Sequence, residues 1–121
     1  MKVRLKLTLD ELKALIVIFV EIMKFEPISI LRHIDVLESE NILRKLTPKL
    51  FEAPKKRYTV VLNSAQILAL MSNIPYEIGR FEHTVYLDIC AKIDKQYISE
   101  AHHRKCRTKA LGGKSYITLL D

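Results

Sequence analysis

A chain of 121 residues, 49% hydrophobic and 28% charged, fits one domain with a single core. That balance excludes a disordered polymer, and two cysteines exclude a disulfide-built scaffold and suit a reducing compartment. The net charge of +6 is unevenly placed: residues 1–43 sum to −1, 44–57 to +5, 58–103 to −2 and 104–121 to +4. Local density of charge sets local potential, so an anionic partner is best sought near 44–57 and 104–114.

Val3, Leu5 and Leu7 alternate with Lys2, Arg4 and Lys6, the period of a half-buried strand. The three cations also suit the protection of an exposed strand edge. Thr8 with Glu11 then makes a capping box for a first helix. Leu12, Leu15, Ile16, Phe19 and Met23 form its apolar face, while Val17, Ile18, Val20 and Ile22 spread around it. A helix apolar almost all round is normally buried on most sides. The spread predicts either deep burial or a homo-oligomer interface over Val17 and Ile18. The run Ala14–Val20 is far short of the roughly 20 apolar residues of a membrane span. Asp10, Glu11 and Lys13 precede it and no small-residue cleavage site follows, so the chain is expected to be cytoplasmic.

Pro27 suits the first turn of a second helix, with Ile30, Ile34 and Leu37 as its apolar stripe. Glu38-Ser39-Glu40-Asn41 reads as an exposed face or a break, after which Leu43, Leu46 and Leu50 resume, bounded by Pro48. At an offset of 55 the pattern returns. Tyr58, Val60 and Leu62 match the first strand, Asn63 with Gln66 matches the cap, and Ile67, Ala69 and Leu70 match the opening of the first helix. A last helix carries Ile78, Phe81, Val85, Ile89, Ile93 and Tyr97 at steps of three and four, with an Asp88–Lys92 pair on the other side. Ser115–Leu120 is a candidate third strand after a Gly112-Gly113 turn.

The order β-α-α-β-α-α-β predicts an α+β, mostly helical fold. Four helices pack on a small antiparallel sheet of two or three strands, built from a pseudo-duplicated β-α-α unit. The copies span about 2–50 and 57–100 of a single domain 1–121, followed by a basic segment with the last strand, 101–121. An all-α bundle is the alternative.

The chemical motifs are weak. Gly113-Lys114-Ser115 ends like a phosphate-binding loop, but Thr108 stands where its first glycine belongs and no helix can follow in the six residues left. Cys90, His102, His103 and Cys106 lack the paired spacing of structural zinc, and Arg104, Lys105 and Arg107 would repel a cation. Cations beside Cys106 would lower its thiol pKa, though an incidental exposed thiol is the simpler reading. His33 and His83 suggest packing at helix flanks. No paired carboxylates suggest acid–base work. No catalytic residue, cofactor or metal ligand is therefore assigned.

Two function classes remain. The first is a small non-catalytic protein-interaction or regulatory module, homo-oligomeric, contacting itself and another protein. The second is an accessory nucleic-acid binder using Arg44, Lys45, Lys49, Lys55, Lys56 and Arg57 with Arg104, Lys105, Arg107, Lys109 and Lys114. Tyr58 and Tyr116 flank these segments and could stack on bases, but Tyr58 falls on the buried strand face. No Arg-rich recognition helix is foreseen. Membrane association is not expected.

Overall fold

The structure is a computed structural model describing residues 2–24, 30–73 and 78–110, with 31 and 100–110 described by their backbone alone. Its elements are β1 (Lys2–Leu7), α1 (Leu9–Met23), α2 (Ile30–Leu46), a 3-10 turn (Thr47–Phe51), β2 (Tyr58–Asn63), α3 (Ser64–Ser72) and α4 (Arg80–Ala110). Four helices pack on a two-stranded antiparallel sheet, so the chain is α+β and mostly helical, and the all-α bundle is set aside.

The sheet follows from the alternation. Val3, Leu5 and Leu7 are buried from β1, and Tyr58, Val60 and Leu62 from β2, while Lys2, Arg4, Lys6, Thr59 and Val61 face outward. The register pairs Leu5 with Val60, Val3 with Leu62 and Leu7 with Tyr58. Each strand runs straight into a capped helix. Thr8 accepts from the Glu11 backbone at 3.3 Å while Glu11 accepts from the Thr8 backbone at 3.0 Å. Asn63 and Gln66 repeat the exchange at 2.8 and 3.0 Å. Two otherwise orphaned helix donors are satisfied at each start.

The strand–cap–helix unit thus occurs twice, but the remainders diverge. The helices after the caps have 15 and 9 residues, and the second helices have 17 and 31. The resemblance runs into the openings of the first helices, where Leu12, Ala14 and Leu15 are buried like Ile67, Ala69 and Leu70.

The core lies between the sheet and the helices. α1 buries Leu12, Ala14, Leu15, Ile18, Phe19 and Ile22, α3 adds Ile67 and Leu70, and α4 adds Val85, Tyr86, Ile89 and Ile93. Burying each large side chain contributes roughly 1.5–3 kcal/mol against the entropy of ordering. The breadth of α1's buried face explains why its apolar residues spread so far around the helix. It touches the sheet and the other helices at once.

α2 departs from the expected face. Ile30, Ile34 and Leu37 are exposed, and the helix buries Ser39, Ile42 and Leu46 instead. The run Glu38–Asn41 neither breaks the helix nor marks its outer side. The inward face tolerates polarity because it is hydrogen-bonded. The Ser39 hydroxyl donates to the Asp35 carbonyl at 2.8 Å. Asn73, 3% exposed at the end of α3, donates to Asp35 Oδ2 at 3.0 Å and to the Ala69 carbonyl at 2.7 Å, and accepts from Arg32. Buried polar groups are stable when paired in this way, and here they pin α2 to α3.

α4 is also longer than the apolar spacing implied. Arg104, Lys105, Arg107 and Lys109 continue the helix instead of forming a connecting segment. Its 31 residues make a rod of about 46 Å. Val85, Ile89 and Ile93 are buried as expected, but Phe81 and Tyr97 at the two ends of that row are exposed. Pro27, Lys114, the Gly112-Gly113 turn, Tyr116 and the third strand at Ser115–Leu120 lie outside the described residues. No described helix is long and apolar enough to cross a membrane.

Candidate interaction surface

A two-stranded sheet has two edges, and here they are unlike. On β1, the Arg4 backbone N–H donates to Gln96 Oε1 at 3.2 Å, and Gln96 Nε2 donates back to the Arg4 carbonyl at 2.8 Å. One side-chain amide from α4 therefore meets the strand as a neighbouring strand's peptide group would. Both Arg4 groups point away from β2, so Arg4 and Val61 are a non-hydrogen-bonded antiparallel pair. By the same alternation the N–H and C=O of Thr59 and Val61 point away from β1. Among the described residues, nothing bonds to them. Asn63, next in that series, gives its N–H to Gln66 in the cap.

Beside this open edge lies a cleft of about 560 Å³ between β2 and the end of α2. Lys2, Arg44, Lys45 and Lys49 line it together with Thr59 and Val61, and no carboxylate does. Arg44 is paired with Glu40 one helical turn back. Lys2, Lys45 and Lys49 have no ion pair among the described residues. Ile42 and Leu46, both buried, floor the cleft. The local fold creates this arrangement. α2 ends in Arg44 and Lys45, which favour the negative end of its dipole, and Lys49, in the 3-10 turn that follows, joins them in the lining.

The first basic segment is only partly gathered. Arg44, Lys45 and Lys49 reach the cleft. Lys55, Lys56 and Arg57 are exposed in the connection to β2, outside its lining, with Lys55 paired to Glu52 at 3.1 Å. In the second segment, Arg104, Lys105, Arg107 and Lys109 lie on the continuation of α4 beyond Gln96, whose side chain meets β1. Sequence reasoning missed Lys2 as a partner of Arg44 and Lys45, although its place in the outward series of β1 was visible. It also missed Gln96, for which nothing in the pattern of α4 gave a sign.

The two interface candidates part company. Ile18 is fully buried in the chain's own core, which accounts for its place on the broad apolar face of α1. Val17 is 39% exposed and lines a shallow cleft of about 330 Å³ with the exposed Phe81. Tyr58 is 3% exposed, so its ring is unavailable for stacking on a base. His33 and His83 are both exposed, and His83 stacks on Tyr86 with centroids 6.5 Å apart.

The most perturbed titratable groups lie inside α4. Burial pushes the Tyr86 phenol up to about 12, helped by the neighbouring Cys90. The phenol donates to the Leu70 carbonyl at 3.1 Å. Burial also raises the Cys90 thiol, opposed by its hydrogen bond with Tyr86 and reinforced by Asp94. A raised thiol pKa reduces the thiolate fraction, so this environment quenches Cys90 as a nucleophile. Among the described residues, no three His, Cys, Asp or Glu side chains gather as metal ligands.

Comparison with known proteins gives no match: no family model fits the sequence, and no curated protein or solved structure matches it significantly.

Proposed function

We propose that this chain is a small non-catalytic protein-interaction module whose contact surface is the open edge of β2 with its basic cleft. The observation that carries this reading is the unequal treatment of the two sheet edges. Gln96 occupies both outward main-chain groups of Arg4 on β1, while among the described residues nothing bonds to those of Thr59 and Val61, which lie beside lysines without an ion pair there. An exposed strand edge pairs readily with another chain. Self-association belongs to the same reading and uses a different surface, Val17 with Phe81.

The second reading is nucleic-acid binding, favoured by the convergence of Lys2, Arg44, Lys45 and Lys49 around one cleft. Such cations bind phosphates by releasing counterions, and the affinity falls linearly in log salt. The test compares a labelled acidic polypeptide, polyglutamate, with labelled dT20 and a single-stranded RNA of equal length at several salt concentrations. The interaction module prefers the polypeptide and loses it in Lys45→Glu/Lys49→Glu. Preference for the oligonucleotides would replace it with the second reading, and no binding of any probe at low salt would reject both.

A further inference from the structure

The open edge of β2 also specifies the shape of its partner. We propose that the cleft receives an acidic, extended peptide that adds to β2 as a third strand. This rests on the interaction-module reading and deepens it.

Three observations converge. First, Thr59 and Val61 each present an N–H and a C=O away from β1 and carry no bond to another described residue. An added strand satisfies such a row through its own backbone, whatever its sequence. A sugar-phosphate chain has no matching alternation of donors and acceptors at strand spacing. Second, the charge selects against a second copy of this edge. Two copies paired β2 to β2 would bring Lys2, Lys45 and Lys49 of each toward those of the other. Like-charge juxtaposition of this kind works against pairing. A segment bearing Asp or Glu meets complementary charge instead. Third, β1 is capped at its middle: Gln96 occupies the donor and acceptor of Arg4, so at that level a strand joining the sheet meets free main-chain groups on the β2 side.

The peptide's side chains must alternate, since an added strand turns successive residues to opposite faces. One set meets the cleft, with Ile42 and Leu46 at its floor and Lys45 and Lys49 around it. The other continues the outer face of the sheet, where Val61 is 42% exposed and Lys2 stands near. A sequence alternating β-branched residues with glutamate satisfies both the pleat and the charge.

The test uses a seven-residue capped peptide, Glu-Val-Glu-Thr-Glu-Val-Glu, and the same peptide N-methylated at alternate residues so that half its backbone donors are lost. Binding is followed by NMR, with amide exchange read at Thr59 and Val61. The expected result is at least tenfold tighter binding of the unmethylated peptide, slowed exchange at both amides, and loss of binding in Lys45→Glu/Lys49→Glu. Val61→Pro, which removes an outward N–H tolerated at an edge, weakens binding. The methylated peptide covers the case in which that variant fails to fold. Equal binding of the two peptides with unchanged exchange would overturn strand addition and leave a simple electrostatic cleft. In that outcome polyglutamate still binds, so the interaction reading survives. If polyglutamate also fails, both readings fall.

Discussion

Gln96 and Arg4, 92 positions apart, exchange two hydrogen bonds between one side-chain amide and one backbone residue. The contact ties α4 to the first strand and occupies both outward main-chain groups of Arg4. Beyond it Tyr97 and Ile98 are exposed.

Replacing Gln96 with alanine should lower unfolding stability by about 1 kcal/mol, since both bonds are partly solvated. Gln96→Glu should fall between the two. Its carboxylate can accept from Arg4 but cannot donate to the Arg4 carbonyl. Urea unfolding measures the order, and a Gln96→Glu variant as stable as the native chain would show that the second bond is idle.

The two capping boxes should act independently. Thr8→Ala and Asn63→Ala each remove a side-chain acceptor, at a cost of about 1 kcal/mol. Lys2 pairs with Asn63 and Leu7 with Tyr58, so the caps lie at opposite ends of the sheet. Their effects should add within about 0.5 kcal/mol in the double variant.

α2 offers a sharp contrast between its faces. Asn73→Ala withdraws a partner from Asp35, Arg32 and the Ala69 carbonyl and should cost about 1–3 kcal/mol. Ile34→Ser, on the exposed row, should change stability by less than about 0.5 kcal/mol. The reverse ranking would mean that α2 is turned the other way.

Alkaline pH should destabilise the fold. Tyr86 ordinarily ionises near 10, and in the folded chain near 12. Cys90 is raised as well. Both groups favour their protonated forms when folded, so their contribution is complete below the unfolded values. It is lost as pH rises from about 9 toward 12. Tyrosine absorbance should show a late step near pH 12, and Tyr86→Phe should remove it.

Much of this fold was legible in the sequence. Period-two alternation fixed both strands and their buried faces, and the Thr8 and Asn63 caps located the helix starts to the residue. The face of α2 was not legible, because apolar spacing alone points Ile30, Ile34 and Leu37 inward, whereas Ser39 and Asn73, both bonded to Asp35, occupy the buried side. The length of α4 was hidden because its last turns carry charge instead of an apolar stripe. The cleft was half legible: Arg44, Lys45 and Lys49 stood out as a cluster, but their meeting with Lys2 and the free edge depends on strand pairing.

Gln96 holds the outward main-chain groups of Arg4, while among the described residues those of Thr59 and Val61 have no partner, and amide hydrogen exchange on the free chain tests this contrast directly. Arg4 should be protected, while Thr59 and Val61 exchange far faster than their neighbours Val60 and Leu62, which point into the ladder. Protection at Thr59 and Val61 equal to that of Val60 would contradict the account, because the edge would already be occupied.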